Sequence, residues 1–306
     1  MLIWWGSFKG GGATLGDLWA VNNLSADLNR HGIGHQIISS SFDWPGHRRV
    51  EHLFYLRHPK LLVFVCGPLA SWRKLNDFLD IHSGAGLIAA GVSVLANQPT
   101  MVQRFDRIVA RDGVAGATFD LAISKVTPPI ASEGIRRVGL CLRGRQNEFG
   151  RATLHDKAEA MILALIGRHK LEVLDIDTVL RPGNMPADIE AAFNSVDCVL
   201  TTRMHGGLMS LAAGKPVIAI DQVPGTAKVS EVMGRTGWPH VFSAAAVDDD
   251  QLEASFASFS SPGARAVISD AQQRMLRLST DARSASVAAI AEMLLTPKAG
   301  KPRRDS

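Results

Sequence analysis

Arg203 and His205 stand one residue apart, directly ahead of Gly206 and Gly207. Two short apolar runs flank them, residues 198–201 and 217–220, each of the kind that makes a fully buried strand. Between the runs, Leu208, Met209, Leu211 and Ala212 keep helical spacing up to a Gly-Lys-Pro stop at 214–216. The pattern predicts a strand–turn–helix–strand unit with a cationic pair at the turn. In an open α/β sheet, ligands bind beyond the carboxyl ends of the strands, and both side chains fall there. The helix that begins at this point offers unpaired N–H groups and the positive end of its dipole. The chemistry expected is the binding of phosphate or carboxylate, beside a histidine that can give or take a proton near neutral pH.

Two further cations extend the set. Arg143 follows the apolar run 138–142, and Lys228 opens a short helix after the run that ends at Ile220. If the strands are parallel, these turns open on one edge of the sheet and their side chains converge. Arginine grips an anion with a planar pair of donors, whereas lysine supplies a compact point charge. No carboxylate pair has acid/base spacing, and no G-x-S-x-G, H-E-x-x-H or Cys/His cluster occurs. No metal site is expected.

The elements that must position these residues follow an α/β rhythm. Residues 2–5 read as a strand, followed by the glycine-rich loop 6–17, which ends at Gly16-Asp17. Leu18, Val21, Leu24 and Leu28 then keep helical spacing. Strand, glycine loop and helix form a phosphate- or dinucleotide-binding shape, although neither G-x-G-x-x-G nor G-x-x-x-x-G-K-[ST] is met. A functional loop and a tightly folded structural one stand level here, and Gly16 and Asp17 join Gly206 as substrate-binding candidates. Further strands are expected at 36–39, 61–65, 86–95 and 107–110, the last ending at Arg111-Asp112, which reads as a structural ion pair. The crowd of Trp44, His47, Arg48, Arg49, His52, Tyr55, Arg57 and His58 reads as a solvated helix with its flanking loops, ahead of a sugar- or phosphate-binding face. KVTPPIASEG, residues 125–134, is the linker. Beyond it come strands at 138–142 and 171–176, helices at 153–168 and 188–194, and a last helix at 264–295. The fold class expected is α/β, two doubly wound Rossmann-like domains facing a cleft, at 1–127 and 135–296, with a tail at 297–306.

Composition narrows the partners. The 306 residues suit two domains, and 46% hydrophobic with 20% charged is a globular balance. The net charge of +4 is concentrated in the last ten residues, where four basic residues against one aspartate account for +3. The folded body is therefore near neutral, and no nucleic-acid partner is expected. The tail reads as solvated; its second reading is a weak hold on an anionic membrane, at about 1 kcal/mol per basic residue near the lipid. Cys66, Cys141 and Cys198 lie in apolar runs and read as buried free thiols of a reducing compartment. With no signal-peptide pattern and no run of about 18 apolar residues, a soluble cytoplasmic protein is expected.

At this point the residues resemble a known family. VDCVLTTRMHGGLMSLAAGKPVIAID, residues 196–221, is similar to the C-terminal signature of the polysaccharide pyruvyl transferases: a buried strand ending in Arg-x-His, a small-residue helix, Gly-x-Pro and another strand. Gly16-Asp17, Arg111-Asp112, VGLCLR ending at Arg143, and Lys228 fall in the matching order. The chain departs from the pattern in the inserted KGGGAT, in Cys66-Gly67-Pro68 where glycines are common, and in QVPGTA ahead of Lys228. The resemblance implies a GT-B-like fold and transfer of a pyruvyl group from phosphoenolpyruvate to a glycan sugar, with a ketal formed and phosphate released. It implies no cofactor beyond that donor, and leaves open whether the acceptor is lipid-linked. By position, Arg143, His205 and Lys228 match residues of donor binding and catalysis, and Arg203 matches the signature arginine. Two alternatives remain: a GT-B nucleotide-sugar glycosyltransferase or epimerase, and a non-catalytic glycan-binding protein on the same fold.

Overall fold

The computed structural model describes residues 1–6, 12–39, 44, 47–49, 59–129, 134–144, 153–223 and 228–296. The middle of the glycine-rich loop, His52, Tyr55, Arg57 and His58, part of the linker and the basic tail lie outside the described residues. The chain divides into two compact units, Met1–Ala122 with the chain from Thr280 onward, and Ile123–Ser279.

In the first unit β1 (Leu2–Trp5), α1 (Leu15–Arg30), β2 (Gln36–Ser39), β3 (Arg48–Arg49), β4 (Leu61–Val65), α2 (Arg73–Ile81), β5 (Gly86–Ser93), α3 (Pro99–Val102) and β6 (Arg107–Asp112) follow in order. The sheet runs β3-β2-β1-β4-β5-β6, parallel throughout. This is the doubly wound Rossmann order. Every residue of β4 and β5 is buried, as expected of continuous apolar runs covered on both faces. Trp4 anchors the core against Phe64 and Phe78, with ring centroids 4.4 and 5.5 Å apart.

Gly16 and Asp17 are not loop residues. Helix α1 starts at Leu15, because Thr14 and Asp17 form a capping box: the Thr14 N–H and hydroxyl both donate to the Asp17 carboxylate at 2.9 Å. At the end of β6, Arg111 is buried as expected of a structural pair, and its partners reach further than Asp112. Its Nη1 donates to Asp120 at 2.9 Å, its Nε to Asp112 at 3.2 Å, and its Nη2 to Ser93 Oγ at 3.1 Å. Burial alone would favour a neutral guanidinium; Asp120 and Asp112 outweigh it and hold the charge.

The second unit carries β7 (Arg137–Cys141), α4 (His155–His169), β8 (Glu172–Asp175), α5 (Pro186–Asn194), β9 (Cys198–Thr201), α6 (Met204–Ala212), β10 (Val217–Asp221), α7 (Lys228–Arg235), β11 (Val241–Ser243), α8 (Asp249–Ser258) and the first part of α9 (Ala264–Leu295). Its sheet, β11-β10-β9-β7-β8, is also parallel, and is the other common doubly wound order read from its far edge. The chain is thus α/β, with two Rossmann-like units.

The unit boundary differs from the expected one at the C-terminus. α9 belongs to the second unit up to Ser279 and to the first from Thr280. In the first unit Arg283 Nε meets Asp27 of α1 at 2.9 Å, with both side chains largely buried. A helix that keeps its period throughout carries no sequence mark where it changes partners. The linker prolines pack on the second unit: Thr127 N–H donates to Ala212 O at 2.7 Å, and Gly214, at φ +74°, brings its backbone against Thr127 and Pro128. No described helix is long and apolar enough to cross a membrane. All three cysteines are buried and free.

Two partly buried histidines give the fold a pH dependence. His240 packs edge-on to Trp238 and Phe259, each at a 5.0 Å centroid distance, and burial lowers its pKa to about 4. Burial lowers His47 to about 4 as well. The unfolded chain therefore takes up these protons first, and stability present above about pH 6.5 is lost as the pH falls toward 4. The expected result is a lower urea midpoint at pH 5 than at pH 7. A His240→Phe variant should show a smaller difference, and an unchanged difference would remove His240 as a source.

Candidate active site

The carboxyl ends of β7, β9 and β10 lie side by side. Cys141 is in register with Thr201, and Thr201 with Ala219. Arg143, Arg203 and Asp221 each follow two residues later, so they leave the sheet at one level. The topology marks this place independently. The chain leaves β7 through α4 for β8 on one side, then crosses through α5 to β9 on the other. Its direction therefore reverses between β7 and β9, and ligands bind in the crevice at such a switch point. Arg143 leaves one of these strands, and Arg203 and His205 leave the other.

Two threonines lace the strand ends together. Thr201 Oγ1 donates to Cys141 O at 2.7 Å and accepts the Arg203 N–H at 2.9 Å. Thr202 Oγ1 accepts the Arg143 N–H at 2.9 Å. Arg203 is the residue before α6, in extended conformation, and its side chain does not cap the helix. Instead its Nε donates to Leu142 O at 2.6 Å, and its Nη1 lies 3.4 Å from the fully buried Thr178 hydroxyl beyond β8. Arg203 therefore braces the β7, β8 and β9 exits. That use takes only part of a guanidinium with five donors. Its charge also reaches Asp177. Burial there opposes the carboxylate, but hydrogen bonds from Arg181 and the Val179 N–H, with the charges of Arg181 and Arg203, outweigh it and hold the carboxyl below its usual range.

His205 occupies the first turn of α6, partly buried. Gly206 follows because nothing larger fits: a Cβ there would overlap Thr201 Oγ1 and come within 2.9 Å of Cys141 Sγ. Gly206→Ala is expected to destabilise the protein by about 1–3 kcal/mol, because it displaces a hydroxyl committed to two backbone partners. A denaturation midpoint equal to that of the unsubstituted protein would contradict this packing. Burial pushes the neighbouring Cys141 thiol up to about 11, so it is no nucleophile at neutral pH.

Lys228 opens α7, partly buried. Its place is set by Asp221, which the sequence reading did not single out. One Asp221 oxygen accepts the Val229 and Ser230 N–H groups at 2.9 and 3.0 Å; the other accepts the Val223 N–H at 3.1 Å. The carboxylate thus ties the start of α7 to the end of β10. His155, the first residue of α4, was also missed. It is 7% exposed, and neither ring nitrogen has a hydrogen-bond partner among the described residues. The preceding Leu154 N–H donates to Gln222 O at 2.8 Å, which anchors the start of α4 at the exit of β10. Gly16 and Asp17 belong to the other unit, where Asp17 caps α1. Among the described residues no group of His, Cys, Asp and Glu is placed to hold a metal ion.

Two Rossmann-like units, one with cationic residues at its switch point, define an α/β protein of the doubly wound class. The model of the polysaccharide pyruvyl transferase family matches residues 135–222, from the approach to β7 to just past β10, and supports a polysaccharide-modifying transferase. No curated protein matches the chain. Among solved structures, the spinosyn rhamnosyltransferase SpnG is similar at a TM-score of 0.49 and 12% identity, over 96% of this chain and 99% of that one. A mutant O-GlcNAc transferase from Thermobaculum terrenum gives 0.49 and 13% over 96% and 66%, and the kitacinnamycin glycotransferase 0.48 and 11% over 96% and 98%.

Proposed function

We propose that the protein transfers a pyruvyl group from phosphoenolpyruvate to two hydroxyls of a glycan sugar, forming a cyclic ketal and releasing phosphate. The observation that carries this reading is the coincidence of the family match with the three strand exits that bear Arg143, Arg203 and His205, and Asp221. Phosphoenolpyruvate brings a phosphate and a carboxylate, so its site needs several cations and ready N–H donors. Arg143, Arg203 and Lys228 hold the two anionic groups, and the first turn of α6 adds backbone donors.

In this scheme His205 handles the proton. The methylene carbon of the donor takes a proton and becomes the methyl group, while one sugar hydroxyl attacks C2 and loses its own proton. The C2–O bond to the phosphate then breaks, phosphate leaves, and the second hydroxyl closes on the oxocarbenium-like carbon. One proton is taken up at carbon, two are lost from the hydroxyls, and the net proton leaves with phosphate. The first unit is assigned the acceptor.

The second reading is a nucleotide-sugar transferase or epimerase, which would place a diphosphate at the same helix start. The two separate in a thermal shift of the full chain. Phosphoenolpyruvate is expected to raise the melting temperature and nucleotide-sugars are not; the opposite pattern favours the second reading.

A further inference from the structure

We infer that His155 is a further ligand-binding residue of the switch-point site, where its imidazole takes a phosphate oxygen of the bound donor. The inference rests on the proposed function for the identity of the donor, but not for the binding of phosphate. Among the described residues neither nitrogen of this buried imidazole has a hydrogen-bond partner, so it forfeits the free energy water would have given it. Such a group has a reason to persist where a ligand supplies the missing partner.

The position of His155 agrees. α4 is the helix reached from β7 by way of Arg143, and the Leu154–Gln222 hydrogen bond carries its first turn over to the exit of β10. β9 lies between those two strands, and Arg203 and His205 leave it at the same edge. The start of α4 thus bridges the exits on either side of β9. The residue ahead of α4, Leu154, gives the helix no side-chain cap, so its first N–H groups are not taken by one. A fifteen-residue helix with no side-chain cap, and with a buried imidazole unpartnered among the described residues as its first residue, suits a phosphate better than a sugar hydroxyl.

The test uses inorganic phosphate as probe on the full chain. Binding constants are measured for the unsubstituted protein, His155→Phe and His155→Gln, and side-chain 15N spectra follow the histidines of the unsubstituted protein during the titration. The expected result is about a tenfold loss of phosphate affinity in His155→Phe, a smaller loss in His155→Gln, and a phosphate-dependent shift of the resonance that His155→Gln removes. The spectrum needs no substitution to fold, so misfolding of His155→Phe leaves the question open to it. No phosphate binding by the unsubstituted protein, or equal affinity in all three with an unmoved resonance, overturns the inference. Turnover of phosphoenolpyruvate is measured alongside. Turnover with a silent His155 sinks the inference alone, whereas a responsive His155 without turnover sinks the donor assignment alone.

Discussion

His205→Gln is expected to lower phosphoenolpyruvate turnover at saturating donor by about 10²–10⁴-fold, the usual share of a positioned general acid or base. Glutamine keeps a hydrogen-bonding side chain of similar reach in the first turn of α6, but it cannot carry a proton. Donor affinity should change by no more than a few fold, because the proposed scheme leaves the matching of phosphate and carboxylate charge to Arg143, Arg203 and Lys228. The effect therefore belongs in kcat rather than in binding. Full turnover in the variant would take the histidine out of the scheme and leave the cations as a binding site alone.

Arg111→Met is expected to cost about 3–5 kcal/mol of stability, the largest effect in the first unit. The substitution leaves the carboxylates of Asp112 and Asp120 buried, at 4% and 0% exposure, without the guanidinium that pairs with both. The attribution has its own check. Combining Arg111→Met with Asp112→Asn and Asp120→Asn removes the stranded charges, and should recover a large part of the loss in urea denaturation. If the triple variant is as unstable as the single one, the loss comes from packing of the long side chain and not from unpaired charge.

The sheets were legible because their strands are continuous apolar runs. Residues 36–39, 61–65 and 198–201 appear with the bounds expected, and 264–295 as one helix. β3 and β11, two and three residues long and only partly buried, carry no such signal and were missed. The glycine loop ends before residue 15, short of the expected 17, because Thr14-x-x-Asp17 is a capping signal hidden by the glycine beside it. At the site, the order of Arg143, Arg203, His205 and Lys228 along strand exits follows from the sequence. What each side chain touches does not, because those partners are remote in the chain: Arg203 meets Leu142, Arg143 meets Thr202, and Leu154 meets Gln222. His155 escaped notice for the same reason. Its burial comes from where α4 crosses the sheet edge, and nothing in its own neighbourhood of sequence announces that.

Phosphate release from phosphoenolpyruvate, followed across a panel of glycan acceptors, tests the proposed reaction most directly. The expected result is release that depends on acceptor and matches, mole for mole, a product heavier than the acceptor by one pyruvyl ketal. Release that ignores the acceptor, or none with any acceptor while a nucleotide-sugar is consumed, would contradict it.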